Sequence, residues 1–424
     1  MLKLNSLRQP LYFIVLLNIL AIILLLFHKQ PYDYQILFQG LLITIMICAT
    51  YFILIKKNLG DEYLFLIVSM LTSIGYIMIY RLDPVLGLKQ TIWFAIGIIL
   101  FFLSYYTFSK VKVWDKLMFY YILSSIILFF ITLAFGKNIK GSTNWIVFYG
   151  HSYQPSEIIK ILFVLFFASF YRHSEQIILK DIKFTINPSQ ISSKLFLMVI
   201  TFMYAGLFVL QNDWGTSLLL FLTYFALLYI LDNNLKFLFN NLSIAVVGAL
   251  VGFFYVYHIK VRIDAWLNPW ADISGKGYQI TQSLFAIGSG GFFGTGIGLG
   301  RPDFIPEVKN DFIFSAICEE MGIFVGVAVI LLFFILSYRG FKIALTVKDT
   351  FQKTLALGIT LIFGLQTFII IGGVIKLIPL TGITLPFISY GGSSLTASFI
   401  ALGILQAISN KSFIKEECKA NAGK

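Results

Sequence analysis

The chain alternates long apolar runs with short polar connections. Each run approaches the ~20 residues that a helix needs to cross hydrocarbon. Twelve candidate helices follow, near residues 10–28, 35–55, 63–80, 91–109, 117–135, 157–171, 195–211, 214–231, 240–260, 312–338, 355–375 and 390–409. Gln211, Asn212, Asp213 and Gly215 interrupt what would otherwise be one run. Holding four such residues in hydrocarbon is costly, so a turn is expected there. One interval breaks the rhythm: Val261–Asp311 is long and polar, and carries Arg262, Asp264, Asp272, Lys276, Arg301, Asp303, Glu307, Lys309 and Asp311. Loops of that length are functional or disordered. Its Trp266, Trp270, Tyr278 and Phe292 argue against disorder, which is poor in aromatics. The pattern predicts an all-α polytopic membrane protein with one large working loop, 261–311.

Composition supports the class. Hydrophobic residues make up 58% and charged residues 12%, with mean hydropathy +0.86. A soluble domain carries about twice that charged fraction. The net charge of +12 reads as an inside bias of Lys and Arg rather than as affinity for nucleic acid. With the N-terminus cytoplasmic, Lys56, Lys57, Lys110, Lys112, Lys116, Arg172, Lys180, Lys183, Lys194, Arg339, Lys342, Lys348, Lys353 and Lys424 all fall inside. Both termini are then cytoplasmic. The segments 136–156, 211–213, 261–311 and 376–389 face outward. No A-x-A pattern follows Leu11–Phe27, so that stretch reads as a retained helix. Cys48, Cys318 and Cys418 and the four scattered histidines offer neither a disulfide framework nor a metal-ligand cluster. No metal or cofactor is assigned, although a divalent cation is compatible with the chemistry below.

Several groups carry candidate chemistry beside a plainer reading. Gly288–Gly300 (GSGGFFGTGIGLG) lacks both nucleotide-binding spacings, so it reads as permissive backbone at the membrane surface. Glu157 and Lys160, one turn apart in the sixth helix, are either a first-turn acid with a neighbour or a working intramembrane pair. Asp213 fits a helix cap. Glu319 and Glu320 fall about two turns into the tenth helix, Glu319 at about 80° from Asp311 and Glu320 opposite, so at least one must face protein or water. Asp311 is either an N-cap or a general base at the water–membrane boundary.

The stretches GSTNWI (141–146), QPSEIIK (154–160), NDWGT (212–216), GKGYQITQSLFAIGSGGFFGTGIG (275–298), IPEVKNDFIFSAICEEMG (305–322) and LPFISYGGSS (385–394) occur in an order that resembles the SEDS family (shape, elongation, division, sporulation). The likeness covers about Tyr63 to Asn410. It implies a ten-helix core within 61–424, preceded by a two-helix extension, 1–60. It also implies a peptidoglycan glycosyltransferase that polymerises lipid II outside the cytoplasmic membrane, for elongation, division or sporulation, beside a class B penicillin-binding protein. The family's aspartate maps onto Asp311 and the acid of its QPSE motif onto Glu157. Substrate-binding candidates are Lys160, Trp145, Asp213, Gln279, Gln282, Lys276, Arg301, Glu307 and Lys309. The family often has Pro where this chain has Asn212.

The implied chemistry suits these residues. Joining an α-linked donor through a β-1,4 bond inverts the anomeric centre, so one displacement suffices. It needs a base for the acceptor hydroxyl and cations for charge developing on the pyrophosphate. Asp311 is the expected base, and Arg262, Lys276, Arg301 and Lys309 are the cation candidates. Two rivals remain at this stage. A lipid-linked precursor transporter would use its intramembrane charges, though no internal repeat supports it. A non-catalytic scaffold for a penicillin-binding protein would make the loop carboxylates dispensable.

Overall fold

The computed structural model describes residues 2–28, 34–139, 142–148, 151–173, 190–232 and 234–422. Lys180, Lys183, Lys424 and Gly141 lie outside the described residues. The helices are α1 (Leu2–His28), α2 (Gln35–Lys56), α3 (Glu62–Leu82), α4 (Pro84–Lys110), α5 (Met118–Phe135), α6 (Ser156–His173) and α7 (Gln190–Leu210). They continue as α8 (Trp214–Leu231), α9 (Leu235–Tyr255), α10 (Tyr257–Leu267), α11 (Tyr278–Gly290), α12 (Ile313–Thr346), α13 (Thr350–Val374) and α14 (Gly392–Ala422). All twelve expected helices are present, and the fold is an all-α polytopic membrane fold. Among the described residues, eleven of them are long and apolar enough to cross a membrane by length and composition. The exception is α6, whose 18 residues include Glu157, Lys160 and Arg172.

Two outward segments hold more local structure than the sequence pattern revealed. The 136–156 connection contains a small antiparallel sheet in the order β1 (Lys137–Ile139), β2 (Ser142–Phe148), β3 (His151–Tyr153). The Val261–Asp311 interval is substantially helical, holding most of α10 and all of α11. Buried Ile280, Thr281, Ser283 and Ala286 give α11 a helical stripe too short to stand out among polar neighbours. At 1.5 Å per residue, neither helix spans the hydrocarbon, so the number of crossings is unchanged.

The chain forms two compact units. The first comprises residues 1–105, 260–339 and 366–424. Its most enclosed helix is α3, with 89% of its membrane window buried inside protein. Asp61 caps α3 by accepting from the Tyr63 N–H at 3.1 Å. The Asp61 carboxylate is gripped by Nη1 of Arg339 at 2.6 and 2.7 Å, and the Arg339 guanidinium lies over the Tyr63 ring at 4.1 Å. Helix α1 packs on α2 and α3.

The second unit comprises residues 106–259 and 340–365. Its core is aromatic, with Phe129, Phe163, Phe166, Phe167, Tyr204 and Tyr224 almost wholly buried. By contrast, only 17% of the α9 window is buried within the protein.

Helix α12 is broken at Gly322 (φ 86°). A broken helix in a bilayer must satisfy the freed backbone groups within the protein, and the glycine run does so. Thr295 and Gly296 N–H donate to the carbonyls of Glu319 and Glu320 at 2.9 and 3.0 Å. Ile323 and Phe324 N–H donate to the carbonyls of Gly291 and Phe292 at 2.9 and 3.3 Å. A side chain at Gly294 or Gly322 would strike the opposing backbone. The glycines therefore let two backbones touch, as the permissive reading expects.

Candidate active site

In the first unit, Asp311 lies at the foot of α12. The residue immediately before the helix is Phe312, whose carbonyl accepts from Ser315 N–H at 2.9 Å. Asp311 lies two residues before Ile313, the first residue of α12. The half-buried Asp311 and exposed Arg262 flank Gly382. A methyl group built on Gly382 would stand 3.3 Å from Nη2 of Arg262 and 3.6 Å from Oδ2 of Asp311. The two charges thus border one small space. Arg262 is aimed from α10 by donating Nη1 to the carbonyls of Thr381 and Leu380, at 2.7 and 3.2 Å.

The 376–391 connection completes these surroundings. Trp266 Nε1 donates to the Lys376 carbonyl at 3.1 Å. Ser389 Oγ donates to the Asn310 carbonyl at 2.6 Å, and Tyr390 N–H to the Lys309 carbonyl at 2.9 Å. Glu307 adopts a left-handed backbone (φ 59°), and its Oε2 accepts from Asn310 Nδ2 at 2.9 Å. These bonds hold the residues before Asp311 in a tight turn.

The other cation candidates have different settings. Lys309 Nζ donates to Oδ2 of Asp83 at 2.9 Å. Lys276 stands 3.9 Å from Asp264, both half exposed. Arg301 is exposed, and its N–H donates to Glu319 Oε1 at 2.7 Å. Gln279 and Gln282 are half-buried on one face of α11. That helix is anchored by Ser283 Oγ, 2.7 Å from Ser315 Oγ and donating to the Val374 carbonyl at 3.0 Å. Both Glu319 and Glu320 face protein. Nε of Arg81 lies 2.6 Å from Oε1 of Glu320, a Coulombic contact outside hydrogen-bond geometry.

Burial raises the Asp83 carboxyl, but the Lys309 hydrogen bond and the Leu86 and Val85 N–H groups outweigh it, leaving Asp83 below its ordinary value. A depressed acid contributes stability above its unfolded pKa and loses it as pH falls through the folded one. Asp83 is therefore ionised at neutral pH.

In the second unit, Lys160 Nζ and Glu157 Oε2 lie 2.9 Å apart, their side chains 5% and 8% exposed. Helix α6 brings them together at i, i+3. Asp213 Oδ1 caps α8 by accepting from Thr216 N–H at 3.1 Å. Its Oδ2 accepts from Asn144 Nδ2 at 2.7 Å and Gln154 Nε2 at 3.5 Å. Three separated stretches thus converge on one carboxylate. Trp145, in β2, is half-buried and pairs in register with Lys137.

The turn at Asn212 has an identifiable form. Asn212 is left-handed (φ 57°). Its N–H donates to the Val209 carbonyl at 3.0 Å, and that of Asp213 to the Phe208 carbonyl at 2.9 Å. This is a Schellman motif closing α7. Pro, frequent here in the resembled family, has no N–H and cannot reach positive φ.

The profile of the FtsW/RodA/SpoVE family, described as "Cell cycle protein", matches residues 61–413. The chain belongs to the FtsW/RodA/SpoVE family. Similar curated relatives include the peptidoglycan glycosyltransferase RodA of Mycobacterium tuberculosis, 36% identical over 371 residues, covering 82% of this chain and 78% of the relative. Stage V sporulation protein E of Bacillus subtilis is 34% identical over 373 residues, covering 84% and 99%. The fold resembles a chain of a peptidoglycan synthase complex that coordinates polymerization and crosslinking (TM-score 0.68, 24% identity, covering 84% of this chain and 98% of that one). It also resembles the crystal structure of Thermus thermophilus RodA (TM-score 0.59, 25% identity, covering 84% and 98%).

Within this FtsW/RodA/SpoVE member, the structure pairs Glu157 with Lys160, as the sequence allowed, but the partners of Asp213, Lys309 and Glu320 were not legible in the sequence. The pattern of apolar runs does not single out Arg81 or Asp83, and Asn144 and Gln154 occur only within the quoted motifs; the structure brings these residues to Glu320, Lys309 and Asp213. The available signal was the dipeptide Asp83-Pro84, which marks a capped helix start.

Proposed function

We propose that this chain is a peptidoglycan glycosyltransferase that polymerises lipid II on the outer face of the cytoplasmic membrane, alongside a class B penicillin-binding protein. Both termini are cytoplasmic in this reading, and residues 1–60 are an extension of the family core. Asp311 takes the proton of the acceptor hydroxyl as it attacks the anomeric carbon. Arg262 meets the charge developing on the departing pyrophosphate, since a fixed guanidinium suits phosphate oxygens. Glu157 and Lys160 form a second buried ionic element that handles substrate. The observation that carries the reading is the Asp311 carboxylate bordering the same space as the Arg262 guanidinium at Gly382.

The test is polymerisation of labelled lipid II by purified protein, with and without its partner. Because Asn and Asp are nearly equal as helix caps, Asp311→Asn removes a base while leaving the start of α12 capped as before. The expected outcome is normal accumulation and a loss of about 100-fold or more in initial rate. A near-wild-type rate would remove Asp311 as the base.

A further inference from the structure

Two residues at the α3–α4 junction hold the segment that leads into Asp311, and neither lies in the stretches that carry the family resemblance. Arg81 donates Nη2 to the Gly300 carbonyl at 2.8 Å. Its Nε lies 2.6 Å from the buried Glu320 carboxylate, and its Nη1 lies 3.4 Å from Asp303. Asp83, two residues on, divides its carboxylate between two tasks. Oδ1 caps α4 by accepting from the Val85 and Leu86 N–H groups at 3.0 and 3.3 Å. Oδ2 accepts from Lys309 Nζ at 2.9 Å. The backbone at Lys309 and Asn310 is held from the other side by Tyr390 N–H and Ser389 Oγ. The chain is therefore tied at Gly300 and again at Lys309, and Asp311 follows two residues later. Burial, and then the charge of Asp83, raise the Tyr390 hydroxyl.

We propose that Asp83 is a positioning residue for Asp311, and that Lys309 acts through this ion pair, its ammonium committed to Asp83 and not to the substrate pyrophosphate. The proposal rests on the reading of Asp311 as the base and concerns how that base is held. A misplacement on the order of 1 Å costs a catalytic group up to ~100-fold. Releasing Lys309 frees the turn next to the carboxylate.

The experiment is a double-mutant cycle on the full-length protein, at matched membrane level, reading kcat and KM for lipid II. Asp83→Asn keeps the Oδ1 acceptor, and with it the α4 cap, while removing the charge. Lys309→Gln removes the other partner. Each single variant is expected to lower kcat about tenfold with KM within about twofold, and the double to lose the same factor once. Lys309→Arg should retain kcat beside Asp83, and should give no gain over Lys309→Gln when Asp83 is Asn. A loss of about 100-fold in the double overturns the proposal, as does a KM rise confined to Lys309→Gln or full kcat in both singles. Asp311→Asn is measured alongside. If that variant is active while the cycle shows coupled losses, the clamp stands and Asp311 is not the base.

Discussion

A charge's partner decides its task. Lys309 and Arg262 look alike in sequence, two cations within one polar segment. In the structure Lys309 is engaged by Asp83, whereas Arg262 is braced by carbonyls that leave it beside Asp311. Glu157 and Lys160 pose the complementary case, a pair sealed from water. Removing one partner of a buried pair costs roughly 3–5 kcal/mol, whereas replacing both by neutral isosteres is often harmless to stability. The double variant Glu157→Gln/Lys160→Met is therefore expected to accumulate like the wild type. Its polymerisation rate should fall at least about tenfold. An active double variant would make the pair a packing element only.

At the scale of elements, the informative features are the places where helices stop. Helix α7 ends in a Schellman motif with Asn212 left-handed. This delivers Asp213 to cap α8 and to receive Asn144. Asn212→Gly should leave the thermal midpoint in detergent unchanged or slightly higher, because Gly suits that conformation best. Asn212→Pro removes the donor and forbids the angle, and should destabilise by about 2–3 kcal/mol. Equal midpoints for Pro and Asn would mean that the turn can be rebuilt without loss. The α12 break is the same kind of feature. Its freed groups are met by the glycine run, so a segment that mimics a nucleotide loop serves as a backbone partner.

For the whole molecule, the proposed orientation rests on where Lys and Arg fall. A reporter active only outside the cell is expected to be active when inserted at Ser274, between α10 and α11, and silent at Lys348, between α12 and α13. The reverse pattern would place the Asp311 segment on the cytoplasmic side and end the glycosyltransferase reading in its present form. Since α10 and α11 are 11 and 13 residues long, neither alters the parity of crossings.

The sequence by itself determined the class of molecule, the places of the twelve long helices and the ionisable residues proposed to carry the chemistry. Apolar runs of membrane length have one stable outcome in a bilayer, since only a helix satisfies its own backbone there. Ionisable residues in such a chain stand out because they are costly. The tertiary structure decided who partners whom. Asp83 and Lys309 are separated by more than half of the chain, as are Arg81 and Glu320, and periodicity carries no information about contacts between distant segments. The short sheet at 137–153 and the helix α11 escaped the sequence reading for a related reason: their apolar positions are few, and their order comes from the surfaces they pack against.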